Sequence, residues 1–219
     1  MNATTATMRR RAAGLFQSLG MAALLLVAAG ARADTTPPDV VVRTTSEEVL
    51  KLVAEDPELR KGNPAKVIEL IETRVVPHFD TARMTRLAVG QPWRTATKEQ
   101  QAALIQEFKT LLVRSYGAAY TTYRQVKMEV PPLKLAGNED DVTVKSNILL
   151  PGGAPPVRVD YAMASTPDGW KVYNVVVDGV SLVTNYRNDF AGQIQQGGIE
   201  GLLGNLRERN AKAAQTVKK

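Results

Sequence analysis

One strand-like segment near the C-terminal end constrains the fold of this 219-residue chain more than any other feature. Residues 170–177 read WKVYNVVV, and apolar side chains occupy both alternating positions: Trp170, Val172 and Val176 on one side, and Tyr173, Val175 and Val177 on the other. An antiparallel strand with one solvated face would alternate apolar and polar residues. The pattern therefore predicts a strand that is covered on both faces, and it raises the question of what covers the second one.

Helices are predicted on both sides of this region. The strongest begins at Thr97, where Gln100 completes a capping box, and extends to Tyr123 with apolar residues at spacings of three and four. Earlier helices start at signals such as Asn63-Pro64. Two more helices are expected at about 185–196 and 199–213.

Between these helices the apolar period changes to two. Strands are predicted near 125–130, 141–150, 157–165 and 169–178, and the segments between them are short and rich in glycine and proline. Short connections favour an antiparallel meander. We therefore predict an α+β fold in which a curved antiparallel sheet is interleaved with a helical subdomain.

The first 33 residues have the features of a secretory signal peptide. A basic start is followed by an alanine-rich apolar run and an A-x-A site, which predicts cleavage at about Ala33/Asp34 and a periplasmic location. Four of the 28 basic residues lie in residues 1–33, which hold no acidic residue, so the net charge falls from +6 to about +2 after cleavage. This small charge does not predict a nucleic-acid partner. Residues 34–214 are expected to form a single domain, with 215–219 as a frayed tail.

Candidate chemistry is sparse, and no catalytic or metal-binding residue is predicted. The chain has no cysteine and one histidine, His78, whereas a metal site needs several ligands. Ser181 lacks the G-x-S-x-G context of a nucleophile. Asp160 and Asp178 could form a carboxylate pair for acid–base work, but with Arg158 they are also explained as a surface charge cluster.

Apolar stripes on the long helix and on the strands predict either a filled core or a ligand cavity, and periodicity does not separate the two. The residues expected to face that space are Phe108, Leu112, Val144, Ile148, Val159, Tyr161, Val172 and Val176.

Several strings, taken in order, resemble the MlaC family. They are VVPHFDTARMTRLAVGQPWRTATKEQQAALIQEFKTLLVRSYGAAY, PPVRVDY, GWKVYNVVVDGVSLVTNYRNDF and GGIEGLLGNL, and the resemblance covers about residues 35–210. It implies an NTF2-like sheet with an apolar cavity, and a soluble, monomeric periplasmic carrier that binds glycerophospholipid and needs no other cofactor.

The resemblance also implies partners and gating residues. The expected partners are an outer-membrane lipoprotein–porin complex and an inner-membrane ABC transporter complex with an MCE-domain subunit, which together maintain outer-membrane lipid asymmetry. Tyr116, Val157 and Val180 match the residues that gate the cavity in the family. Ala154 and Gln101 stand where family members carry partner-contacting arginines, so partner docking is expected to differ in detail.

Alternative functions remain open at the level of the sequence. An NTF2-like isomerase or dehydratase would place Asp160 or Asp178 with Tyr116 in an apolar pocket. A hopanoid or sterol-like lipid carrier would have a similar cavity, and an interaction adaptor would have a filled core. The position of the carboxylates relative to the cavity distinguishes the enzyme from the carriers.

Overall fold

The computed structural model describes residues 36–122, 126–137 and 139–216, all within one compact unit, Asp34–Lys219. The predicted signal peptide, its cleavage site and residues 217–219 lie outside the described residues. The described α-helices are α1 (Pro38–Glu55), α2 (Pro57–Lys61), α3 (Pro64–Leu70), α4 (Thr81–Val89), α5 (Lys98–Thr122) and α6 (Leu182–Thr216).

Local capping explains where several of these helices begin. The Asn63 side chain accepts hydrogen bonds from the backbone N–H groups of α3, and Asp80 accepts one from Arg83 N at the start of α4. Before α5, Thr97 and Gln100 form the predicted capping box: Gln100 N donates to Thr97 Oγ1 at 3.2 Å, and Thr97 N donates to Gln100 Oε1 at 2.9 Å. The predicted start signals at Asn63 and Thr97 are confirmed.

The segment after α3 departs from a regular helix. Its first five residues, Ile71–Val75, form a π-helical turn, and Val76–His78 form a 3₁₀ turn that ends at Phe79. The sequence has a start signal for this helix at Asn63-Pro64 but no signal for the irregular turns. Irregular turns of this kind are frequent at functional sites, and this one lies beside the cavity described below.

The sheet is a five-stranded antiparallel meander in the order β1-β2-β3-β4-β5. Its strands are β1 (Lys127–Glu129), β2 (Asp141–Leu149), β3 (Val157–Thr166), β4 (Gly169–Val177) and β5 (Val180–Ser181). The α+β fold with an antiparallel sheet is therefore confirmed.

A β-bulge in β4 answers the question raised by the two-faced strand. Ala162 pairs with Asn174 but the next residue, Met163, pairs with Val172, so Tyr173 is an extra residue on β4. Because side chains alternate along a strand, an extra residue switches the buried set from even to odd positions. Trp170, Val172, Val175 and Val177 consequently pack in one apolar cluster. Val175 and Val177, which strict alternation assigns to the second face, therefore lie on the same face as Trp170 and Val172.

Three apolar cores meet around one aromatic side chain. One core lies between α4, α5 and α6, a second covers the inner face of the sheet, and a third joins α1, α3 and the π-helical turn to α5. Phe79 packs against all three. The residues that connect the cores therefore surround the interior space between α5 and the sheet.

The C-terminal helix has a break where the sequence predicts one. Gly198 has φ 64° and ψ −163°, a conformation open to glycine, and it separates the two halves of α6. The first half begins earlier than predicted, at Leu182, because Ser181 Oγ accepts a hydrogen bond from Thr184 N and caps the helix. None of the described helices is long and apolar enough to cross a bilayer.

Candidate functional site

An apolar cavity of about 280 Å³ lies between α5 and the inner face of the sheet. Its helical wall consists of Ser46 and Leu50 of α1, Ile71, Val75, Val76 and Phe79 around the π-helical turn, Thr81 and Met84 of α4, and Lys109, Leu112, Val113, Tyr116 and Gly117 of α5. On α5 these residues recur at spacings of three and four, so they form one stripe along the helix.

The opposite wall is the sheet. It consists of Val126, Met128, Ile148, Val159, Tyr161, Val175 and Val177, followed by Leu182 at the start of α6. Cross-strand pairing holds these residues in rows, because Val159 pairs with Val177 and Tyr161 pairs with Val175. Most of this wall is aliphatic, so it favours a hydrocarbon ligand.

A hydrogen bond connects the cavity wall to the aromatic core. Tyr116 lines the cavity and is 39% exposed, whereas Tyr186 is buried and packs edge-to-face on Phe108 with ring centroids 4.9 Å apart. Burial, with the hydrogen bond to Tyr116, raises the pKa of Tyr186 to about 12. Tyr186 therefore stays protonated and keeps its hydroxyl as a partner for Tyr116.

The structure divides the predicted site residues into two groups. Five of them line the cavity: Leu112, Tyr116, Ile148, Val159 and Tyr161. The other six do not: Phe108, Val144 and Val172 are buried in the cores, Val157 packs beside the sheet core, and Val176 and Val180 lie outside the wall. No ligand contact is tested by this placement, so a lipid-binding role stays a prediction for all eleven.

The bulge explains why the sequence predicts Val176 as a cavity residue, whereas its neighbours Val175 and Val177 line the cavity. Val176 pairs with Asp160 and Ser181 on the outer face of the sheet, while Val175 and Val177 line the cavity. Strict alternation from Trp170 predicts that Val176 faces the cavity. The extra residue Tyr173 shifts the alternation by one, so the odd-numbered residues after it face the cavity. The only sequence signal for this was the two-faced pattern itself.

Three further features of the wall were not predicted. The π-helical turn contributes Ile71 and Val75 to the wall. Phe79 was not recognised because it follows a proline-bounded turn with no periodic pattern. Lys109, a charged residue of α5, also lines the cavity.

The candidate catalytic groups lie away from the cavity. Asp160 is on the outer face of β3, and Asp178 is in the β4–β5 turn with φ 47°, where its Oδ1 accepts a hydrogen bond from Arg158 N at 3.0 Å. Ser181 donates its hydroxyl to Asn174 Oδ1 at 3.1 Å. Burial lowers the pKa of His78, which is absent from the described wall.

Ionisable groups are otherwise scarce around the cavity. Among the described residues that line it, Lys109 alone carries a charge. No group of three or more His, Asp or Glu residues in the described part of the chain is arranged to hold a metal ion. The wall therefore offers apolar surface, a few hydroxyl groups and one ammonium group.

The family model of the MlaC protein matches residues 43–208, a range that includes every described residue lining this cavity. The chain belongs to the MlaC family. A similar protein, the toluene tolerance protein ttg2D of Pseudomonas putida, is 30% identical over 211 residues, covering 93% of each chain.

Two further comparisons agree with this assignment. The intermembrane phospholipid transport system binding protein MlaC of Haemophilus influenzae is 20% identical over 175 residues, which are 79% of this chain and 82% of that protein. Among solved structures, the phospholipid-binding protein from Ralstonia solanacearum, determined in complex with a phospholipid, superposes with a TM-score of 0.75. It is 37% identical, and the match covers 82% of this chain and 99% of that one.

Proposed function

We propose that this protein is a phospholipid carrier of the periplasm. The observation that carries the proposal is the apolar cavity between α5 and the sheet, with its nearly uncharged wall. The phospholipid complex of the Ralstonia solanacearum relative and the name of the Haemophilus influenzae relative support a glycerophospholipid as the ligand.

Energetics explain why such a cavity is needed. Each methylene that enters water costs about 0.8 kcal/mol, so a lipid with roughly 30 methylenes costs on the order of 20 kcal/mol. A carrier has to cover most of both acyl chains during transfer. Apolar residues of the sheet and of α5 that would otherwise complete a core are therefore used for the ligand.

The cavity is smaller than two acyl chains require. Pockets for drug-sized ligands occupy about 300–1,000 Å³, and two acyl chains need a volume at the top of that range or above it, whereas the observed volume is about 280 Å³. Binding both chains therefore requires the walls to separate. The π-helical turn Ile71–Val75 is a departure from α-helical geometry in this wall, and we infer that it moves.

The cellular role follows from this proposal. The carrier acts as a monomer after removal of residues 1–33 and exchanges phospholipid between an outer-membrane lipoprotein–porin complex and an inner-membrane MCE-domain ABC transporter complex. This exchange maintains outer-membrane lipid asymmetry. Ala154 is exposed on the loop before β3, where a partner could contact it, and Gln101 donates a hydrogen bond to Trp93 O at 3.0 Å.

A catalytic function is less well supported. The isomerase alternative needs a carboxylate in the pocket, and Asp160 and Asp178 lie outside the described wall. A hopanoid or sterol-like ligand would fit the same apolar surface. The solved phospholipid complex of the relative favours the glycerophospholipid.

A vesicle-transfer assay tests the function. Purified residues 34–219 should accelerate transfer of a fluorescent phospholipid from donor to acceptor vesicles, because the cavity removes the cost of exposing acyl chains to water. His78→Ala and Ser181→Ala should keep transfer within about twofold of the wild-type rate, since neither residue lines the cavity. Absence of transfer by the folded wild type would contradict the carrier function, and a greater than tenfold loss in folded His78→Ala would favour an enzyme.

A further inference from the structure

Lys109 occupies an unusual position for a lysine on an amphipathic helix. It lies on the α5 stripe that lines the cavity, together with Leu112, Val113 and Tyr116, and its side chain is half-buried. Tyr116 follows it by seven positions, which is roughly 10 Å along the helix axis. The apolar stretch between them belongs to Leu112 and Val113.

The ammonium group of Lys109 has no ion pair or hydrogen bond among the described residues. The positions three and four residues away on α5 are Ile105, Gln106, Leu112 and Val113, none of which is acidic. Other lysines of the chain do have such partners. Lys61 contacts Glu58 at 3.0 Å and Lys66 contacts Glu69 at 2.9 Å.

An unpaired cation in an apolar wall is unfavourable unless something compensates it. Loss of hydration penalises the charged form, and an anionic group with hydrogen-bond acceptors offsets that loss. The ammonium group is a compact charge with three donors, which suits the oxygens of a phosphate group. A ligand with an anionic group next to an acyl chain would therefore pair with the ammonium group of Lys109 and cover the apolar residues beside it.

We propose that Lys109 binds the phosphodiester group of the lipid, an inference that rests on the proposed function. Binding there would position the acyl chains along Leu112 and Val113. Lys109 is thus a specificity-determining residue that favours lipids with an anionic phosphate over neutral diacylglycerols. A fatty-acid carboxylate presents similar oxygens, and the experiment separates these two sources.

The test compares three ligands with delipidated protein, using displacement of a fluorescent lipid to measure Kd. The ligands are dioleoyl phosphatidylglycerol, dioleoylglycerol, which lacks the phosphate, and oleate. Lys109→Met retains the apolar stem but removes the charge, and Lys109→Arg retains the charge. Lys98→Met, at an exposed position at the start of the same helix, is the matched control.

Lys109→Met is expected to weaken phosphatidylglycerol binding roughly ten- to one-hundredfold, the range of a charge-assisted hydrogen bond. Dioleoylglycerol binding should change less than twofold, and Lys109→Arg and Lys98→Met should behave as wild type. Unchanged or tighter binding of phosphatidylglycerol by Lys109→Met would overturn the proposal, because it indicates a lysine whose stem only covers apolar surface. An equal loss for both glycerolipids, or a loss for oleate alone, would also overturn it. Failure of wild-type protein to bind either glycerolipid would instead contradict the carrier function.

Discussion

Val180 is an exposed residue at the edge of the sheet, beside the cavity wall. It is 60% exposed and follows the turn at Asp178 and Gly179, where both residues have positive φ. Its partner in the sheet is Val177, which lines the cavity, so the two side chains lie on the same face. Val180 therefore lies next to the cavity wall at the edge of the sheet, and the gating role that the MlaC resemblance implies for it stays a prediction.

Replacing Val180 with glutamate should reduce bound phospholipid without unfolding the protein. The side chain is exposed, so the free energy of unfolding should change by about 0.5 kcal/mol or less. A carboxylate beside Val177 would, however, lose hydration when an acyl chain lies against it. Thermal unfolding and a phosphate assay on the same sample measure both effects.

Leu135→Glu is the control for this prediction, since Leu135 is 40% exposed and does not line the cavity. It should keep the full lipid complement. If folded Val180→Glu also keeps it, Val180 has no part in binding.

Close contact between α5 and the π-helical turn decides how far the cavity can open. Gly117 lies on α5 beside this turn, and a Cβ atom at that position would stand 3.0 Å from Ile71 Cδ1 and 3.4 Å from Val67 Cγ1. The glycine thus permits a contact that a larger residue would prevent. Ile71 and Gly117 both line the cavity, so their separation sets its width there.

A larger side chain at position 117 should reduce the amount of bound lipid more than it reduces the stability of the fold. Gly117→Ala gains up to about 1 kcal/mol of helix propensity, which the displacement of the Ile71 methyl group offsets. Gly117→Leu should fill the cavity beside Ile71, cost about 1–3 kcal/mol of stability, and lower the amount of co-purified phospholipid. Urea unfolding and lipid extraction test this.

Gly204→Leu on α6 is the matched control, because nothing lies within 4 Å of its Cβ position. A Gly117→Leu protein with wild-type stability and a full lipid complement would show that this contact does not limit the cavity.

Local signals predicted the elements better than the cavity. Asn63, Asp80 and Thr97 mark helix starts because their capping hydrogen bonds are made within three residues of the cap. The bulge at Tyr173 depends on pairing between β3 and β4, and the π-helical turn depends on packing against α5. Neither could be derived from local spacing, so Val175, Val177 and Ile71 were not predicted as cavity residues.

The described part of the chain has three apolar cores arranged around an apolar space, and not one continuous core. Phe79 connects the cores, α5 forms one wall of the space, and the bulged sheet forms the other. The sequence strings predicted membership of the MlaC family, and the match over residues 43–208 confirms it. The volume could not be predicted from the sequence, because it depends on how closely the π-helical turn approaches α5.

The central claim is that this space holds a glycerophospholipid, and native mass spectrometry tests it most directly. The full 219-residue chain would be expressed in a bacterial host, purified from the periplasmic fraction without detergent, and measured before and after organic extraction. We expect the intact protein to carry an added mass equal to one or more glycerophospholipids, and the extract to contain the same species. Intact protein with no added mass, or with a sterol-like lipid alone, would contradict the account.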